Sequence, residues 1–217
     1  MYHSFSSWQL YLQCPYAWGA RYVTKKEIKR PDTPALIKGR QVHEFMEETV
    51  KNGRLEQNMA KIPSDVYFEL QDMLDGAKVV KTELEVCFDF DGSIIKKDWS
   101  NPFGVIVKID LFVVDRNGRI IISDYKTGSS SGKVEQLCLY SYPFNTDTKC
   151  KFLYMDKNEV ETKDIPAMAS RYVFSRFEKY VEKVEATKEH ANEYEKVECQ
   201  NCRWCMVKDC PMARGLK

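Results

Sequence analysis

The segment Asp110…Ser123-Asp124-Tyr125-Lys126 can gather two carboxylates and an ammonium at one point. The first strand is expected over Phe103 to Val114, with Asp110 inside an apolar run. Arg116-Asn117-Gly118 supplies the turn, because Asn and Gly tolerate positive φ. The second strand, Arg119 to Tyr125, is rich in Ile and leads into Lys126. Side chains alternate along a strand, so Asp124 and Lys126 share a face. Two carboxylates can hold Mg²⁺ or Mn²⁺ through oxygen ligands. A Lys beside them can position or activate a water and balance phosphate charge. These are the parts of metal-assisted phosphodiester hydrolysis. Taken alone, Asp-x-Lys after a strand is more often a solvated edge or a turn ion pair, so the rest of the chain has to decide.

Three other groups bear on that choice. His43 lies in Gly39-Arg40-Gln41-Val42-His43-Glu44, about one helical turn ahead of Glu47. A neutral imidazole can complete a metal shell built from two carboxylates, although a lone helical His is more often a surface or capping group. Gln136 and Tyr140 are spaced i, i+4 and share a helix face. They could contact phosphate, a base or Lys126; the plainer reading of the Tyr is a core position. Four cysteines, Cys199, Cys202, Cys205 and Cys210, close the chain, with Pro211 after the last.

The elements that must carry these groups alternate in an ordered way. Ser4 or Ser6 can cap a first helix whose Trp8, Leu12 and Tyr16 share a face, and Pro15 marks its first break. A second helix is predicted over residues 35–51, with Leu36, Val42, Phe45 and Met46 as core positions. A third runs from about Ser64 to Val80. Thr82 to Phe90 reads as a strand that turns at Asp91-Gly92 and returns near Ser93 to Lys96. After the central hairpin, Gly128-Ser129-Ser130-Ser131-Gly132 links to a helix from about Lys133 to Tyr142. Strands follow at Lys149 to Met155 and Val160 to Ile165, joined at Lys157-Asn158. A charged helix covers roughly Ala167 to Ala191, ahead of a cysteine-rich tail. The expectation is one α/β domain over 1–217 with a metal-stapled end.

Composition narrows the class. A chain of 217 residues can bury one good core. Hydrophobic residues make up 43% and charged residues 30%, ordinary for a globular protein. With a net charge of +1, no global basic field attracts nucleic acid, so DNA binding would rest on local clusters. No stretch approaches a membrane span and no targeting segment opens the chain, so an intracellular, cytoplasmic protein is expected. In that compartment eight cysteines argue against disulfides, and a clustered set argues for metal or redox chemistry. The tail cysteines could bind Zn²⁺ by themselves, and Cys199-x2-Cys202-x2-Cys205 has a ferredoxin-like spacing. Cys87 and Cys138 read as small core residues.

Taken in order, His43, Asp110, Asp124-x-Lys126 and Gln136-x-x-x-Tyr140 resemble the RecB-type branch of the PD-(D/E)XK nucleases. The opening Ser4-Phe5-Ser6-Ser7-Trp8 and Cys14-Pro15-Tyr16-Ala17-Trp18 are also similar to the start of that family. The pattern is nearest to the CRISPR-associated RecB-like exonucleases and related phage exonucleases, and it spans nearly the whole chain. The resemblance implies a restriction-endonuclease-like core, a mixed central sheet flanked by helices. It implies His43, Asp110 and Asp124 as Mg²⁺ or Mn²⁺ ligands, with the Tyr125 carbonyl as a further one, Lys126 acting on the attacking water, and Gln136 and Tyr140 holding DNA and Lys126. It also implies a structural [4Fe–4S] cluster on Cys14, Cys202, Cys205 and Cys210, which would bring residues 1–30 and 192–217 together and contribute folding free energy. Cys199 could displace Cys14 or Cys210. One departure is Lys108, which stands where relatives often carry Gly in Gly-x-Ile/Val-Asp.

The implied substrate is DNA, single-stranded or with free ends. The chain carries no helicase motifs, so unwinding would come from a helicase or recombination partner. The alternative is a non-catalytic nucleic-acid-binding or adaptor protein that keeps the fold. Arg171, Arg176, Lys179, Lys183 and Lys188 read as a solvated helix face with Glu partners. Arg21, Lys25, Lys26, Lys29 and Arg30, with Tyr22, are better candidates for contacting phosphate and stacking on a base.

Overall fold

The computed structural model describes residues 1–27, 32–98, 100, 103–128, 132–199, 202–203, 205–207 and 209–213. In chain order the strands and α-helices are β1 (Tyr2–His3), α1 (Phe5–Gln13), α2 (Pro15–Tyr22), α3 (Pro34–Lys51), α4 (Ser64–Leu74), β2 (Val79–Phe88), β3 (Ile94–Ile95), β4 (Gly104–Val114), β5 (Ile120–Lys126), α5 (Val134–Ser141), β6 (Thr148–Tyr154), β7 (Glu159–Ile165) and α6 (Ala167–Thr187). The chain forms two compact units. One is Met1 with Thr33–Phe174, and the other is Tyr2–Asp32 with Ser175–Lys217, so the division falls inside α6.

The larger unit is a mixed sheet with helices, in the strand order β3-β2-β4-β5-β6-β7. Neighbours are antiparallel except β5 and β6, which run parallel from Ile120↔Thr148 to Lys126↔Tyr154. A parallel pair cannot be closed by a tight turn, so the connection crosses over through α5. Residues Ile121 to Tyr125 of β5 are all buried, as a central strand requires. Leu111, Val113, Ile121, Tyr125 and Leu153 form one apolar core with Met46 and Val50 of α3 and Val66, Leu70 and Met73 of α4. The β4–β5 turn is held by Asp115. Its Oδ1 accepts from the backbone N–H of Asn117 and of Arg119, at 2.8 and 2.9 Å. Gly118 takes φ 84° there, the conformation for which the turn needs glycine.

Two expectations about this unit are corrected. The third predicted helix stops at Leu74 and not near Val80, because Gly76 turns the chain at φ 65° and Val79 and Val80 already pair with Val114 and Val113. Leu36 is not a core residue: it is 53% exposed on the first turns of α3. The strands expected at Lys149 to Met155 and Val160 to Ile165 are present: the first is shifted back by one residue to Thr148–Tyr154, and the second begins one residue earlier, at Glu159. The turn between them carries Asn158, whose amide reaches the backbone N–H of Asp65 and the hydroxyl of Ser64 at the start of α4.

The smaller unit is built on aromatic packing. Ser4 caps α1 in a capping box with Ser7, and the helix ends at Cys14, where Pro15 opens α2. This break corrects the predicted Trp8/Leu12/Tyr16 face. Tyr16 belongs to the next helix, Leu12 is 58% exposed, and Tyr11 is the buried partner of Trp8. Trp18 Nε1 donates to the Tyr180 hydroxyl at 2.8 Å, which in turn donates to Ser7 Oγ at 3.0 Å. α6 ends at Thr187, and Lys188–Glu193 tightens into a 3₁₀ turn.

Candidate active site

In the larger unit, the β4–β5 hairpin and α5 bring most of the chemical residues together. Asp110 is held from two sides. Its Oδ2 accepts from the Tyr125 backbone N–H at 2.7 Å, and its Oδ1 lies 3.3 Å from His43 Nδ1. That hydrogen bond raises the His43 pKa against the opposing effect of burial. The His43 ring meets the Tyr125 ring edge-on at 5.9 Å. The Tyr125 side chain therefore belongs to the core, and only its main chain is free to serve the site.

Asp124 and Lys126, side by side as strand alternation requires, approach to 2.5 Å between Oδ2 and Nζ. This ion pair with Lys126 is the contact of the buried Asp124 Oδ2. Gln136 organises the pair. Its Nε2 donates to Asp124 Oδ1 at 2.9 Å and to the Tyr140 hydroxyl at 2.6 Å, while its Oε1 accepts from Lys126 Nζ at 3.2 Å. The i, i+4 spacing on α5 thus lets one amide tie a carboxylate, an ammonium and a phenol. Lys126 also sits over the Phe152 ring, 5.5 Å from its centroid. Burial, and then the charge of Asp110, push the Asp124 carboxyl up to about 6, while Lys126 pulls the other way. Burial likewise raises the Tyr140 phenol.

The sequence reading missed Glu83. It lies on β2 between Thr82, paired with Leu111, and Leu84, paired with Ile109, and so faces Asp110 across the ladder. Its backbone is in the left-handed region at φ 51°, unusual for Glu within a strand. Ligand atoms of His43, Glu83 and Asp110 all lie within 4.8 Å of one another. Lys108 contacts the Glu83 carboxylate, and this contact raises the Lys108 pKa. The signal that could have found Glu83 is antiparallel register: once Thr82 to Phe90 folds back on the Asp110 strand, position 83 falls opposite position 110.

His43, Glu83, Asp110 and Lys108 line a cleft of about 820 Å³ whose outer wall is the first half of α3. Oxygen and imidazole donors converging there suit a divalent ion; Asp124, expected as a ligand, is not among these three and is paired with Lys126.

The comparisons agree with this geometry. Residues 2–210 match the family model of the PD-(D/E)XK nuclease superfamily. The chain belongs to the PD-(D/E)XK nuclease superfamily. A crystal structure of a "putative exonuclease" from Eubacterium rectale is similar in fold, with a TM-score of 0.57 at 12% identity over 93% of this chain and 87% of that one. A structure of SSO0001 aligns with a TM-score of 0.43 at 13% identity, over 96% and 85% of the two chains. No curated protein sequence matches. Membership implies a nucleic-acid substrate, and nucleases of this superfamily use divalent metals, for which His43, Glu83 and Asp110 are a candidate site. Among the described residues, no helix is long and apolar enough to cross a membrane.

Cys14 and the four tail cysteines lie in the smaller unit, and Cys87, Cys138 and Cys150 are buried in the larger one. Cys14 packs in a small apolar cluster with Tyr16, Ala20 and Val207, against which Cys205 and Cys210 rest. Buried Cys202 accepts an N–H···S hydrogen bond from the Cys199 backbone at 3.3 Å. Burial raises the Cys205 thiol. Glu27 and Val207 form an isolated antiparallel bridge. Of the basic residues after α2, Arg21 is committed to Glu27 through both Nε and Nη2, and Lys25 Nζ reaches the Arg21 carbonyl. Lys29 and Arg30 lie outside the described residues, as does most of the 128–132 linker.

Proposed function

We propose that this chain is a Mg²⁺- or Mn²⁺-dependent deoxyribonuclease that acts as an exonuclease on linear or single-stranded DNA. The observation that carries this reading is the Gln136 amide joining Asp124 to Lys126 beside the His43/Glu83/Asp110 donors. His43, Asp110 and Asp124, with the Tyr125 carbonyl, would hold the metal, and Glu83 would join them. A bound ion supplies the positive charge that draws electron density from the scissile phosphodiester. The residues do the rest. Lys126, oriented by Gln136, positions the attacking water. Gln136 and Tyr140 keep Lys126 and Asp124 in register, so the reacting groups meet without searching. Lys126 also offsets the charge that develops on phosphate.

The second part of the proposal is a structural [4Fe–4S] cluster on Cys14, Cys202, Cys205 and Cys210. The apolar setting and the N–H···S contact to Cys202 favour thiolate ligation. Zn²⁺ at the tail cysteines is the alternative, and it would give a colourless protein with about one Zn per chain. Cys199 is the substitute ligand should Cys14 prove not to be one.

The test is a Mn²⁺-dependent digest of end-labelled linear single- and double-stranded DNA beside a closed circle, using anaerobically purified protein with Asp124→Ala in parallel. Loss of label from linear DNA, with circles intact and the variant inert, supports the exonuclease. Nicked circles indicate an endonuclease. Inactivity despite an intact cluster points to a binding protein. Cys14→Ser should bleach the charge-transfer absorbance; a fully coloured variant removes Cys14 from the ligand set.

A further inference from the structure

We propose that Arg40 and Lys108 form a backbone-phosphate clamp that seats a DNA strand across the metal-ligand residues; this rests on the nuclease reading above. The cleft is short of positive charge. Its described lining residues include four carboxylates, Glu44, Glu47, Glu83 and Asp110, against two fixed cations, Arg40 and Lys108. A strand with one negative charge per phosphate enters such a site only where cations meet it.

The two cations stand where a strand would need them. Arg40 is exposed on α3, one turn before His43 and one turn after Leu36, so all three follow one stripe of the helix. Lys108 is two residues before Asp110 on β4, which puts it on the same face of the strand. Each cation is therefore one step along its own element from a metal-ligand residue. Lys108 is 63% exposed, and its named partner is Glu83. A divalent ion that takes up the Glu83 carboxylate weakens that pairing and repels the ammonium, which then turns to phosphate. Arg40 offers a planar fork suited to phosphate oxygens. The contacts are to backbone, so the clamp grips DNA without reading its sequence.

The experiment is fluorescence anisotropy of a labelled single-stranded DNA of about 12 nucleotides, with Ca²⁺ replacing Mn²⁺ to slow hydrolysis. Wild type, Lys108→Ala, Arg40→Ala and Lys108→Arg are compared from about 50 to 200 mM salt. Losing one phosphate contact on a single strand removes about 0.7 from the logarithmic salt slope. The affinity ratio between the two salt concentrations should therefore shrink about 2.6-fold for each Ala variant, equally on unrelated sequences. Lys108→Arg should restore the slope. Lys108→Ala should bind Mn²⁺ at least as tightly as wild type, because a cation beside Glu83 has gone; general misfolding would weaken both ligands. Wild-type slopes in both Ala variants, with wild-type protein that binds and cuts, overturn the clamp alone. Wild-type protein that neither binds nor cuts overturns the nuclease reading and the clamp with it.

Discussion

Asp124→Asn should abolish cleavage and yet stabilise the metal-free protein. Asp124 is 4% exposed, and burial and the neighbouring Asp110 lift its carboxyl from 3.8 to about 6. An acid whose native pKa lies above its unfolded value adds stability below the unfolded value and loses it as pH rises through the native one. Near neutral pH the charged carboxylate therefore costs the fold about 1.4 kcal/mol per pH unit of that gap, about 3 kcal/mol in all. Asn has the same shape and still accepts from the Gln136 amide, but carries no charge. The attraction of Lys126 already enters that pKa, and its ammonium, 20% exposed, can turn to water. The gain of about 3 kcal/mol corresponds to about 6–12 °C in Tm for a chain of this size. The assay is a circular-dichroism melt of chelated wild type and variant at about pH 7.5 and about pH 4.5. The gain should be full at the higher pH and mostly gone at the lower. A variant that melts at or below wild type at about pH 7.5 refutes the reasoning, because Asp124 would then carry its charge at no cost to the fold.

Three more outcomes follow from the same contacts. Gln136→Leu should cut kcat on labelled DNA about 100-fold, because Lys126 and Asp124 lose their common guide; near wild-type turnover would remove Gln136 from the mechanism. Gly132→Ala puts a Cβ 2.3 Å from the Phe152 ring and should destabilise by about 1–3 kcal/mol, read as a lower urea midpoint, with the seat of Lys126 disturbed as well. Burial lowers the His3 pKa although Glu185 accepts from it at 2.9 Å. The unfolded chain therefore takes up that proton first, stability should fall as pH drops below about 6.5, and His3→Asn should flatten the dependence; an unchanged slope in urea melts would exclude His3 as its source.

What the sequence made legible was local. Asp110, the turn and Asp124-x-Lys126 lie within 17 positions, and Gln136 and Tyr140 lie one helical turn apart, so strand and helix periods place the members of each set side by side. The mixed sheet came from the family resemblance, because alternation marks strands but leaves their order and direction open. Glu83 was not, because its position depends on the pairing of β2 with β4 across an intervening loop and on a φ of 51° that no propensity foretells. Leu36 was misread for the opposite reason. It keeps the helical period of a core residue, but the first turns of α3 run past the core and face the cleft. The end of α4 was overrun because Val79 and Val80 continue an apolar pattern that fits either element, and only the turn at Gly76 separates them.

The site carboxylates follow a pairing that bears on how the site works. Asp124 faces Lys126, Glu83 faces Lys108 and Asp110 faces His43. Each acid thus has a basic partner, two of them ammonium groups and one an imidazole. The three partners are not equivalent. Lys108 is 63% exposed, His43 35% and Lys126 20%. Lys126 is also the one tied down by Gln136 and laid over Phe152. A group that must meet one reacting atom gains from immobility, whereas a group that must follow a moving, sequence-neutral backbone gains from freedom. On the reading proposed above, the same order of exposure separates the two tasks, Lys126 for the chemical step and Lys108 for holding the strand.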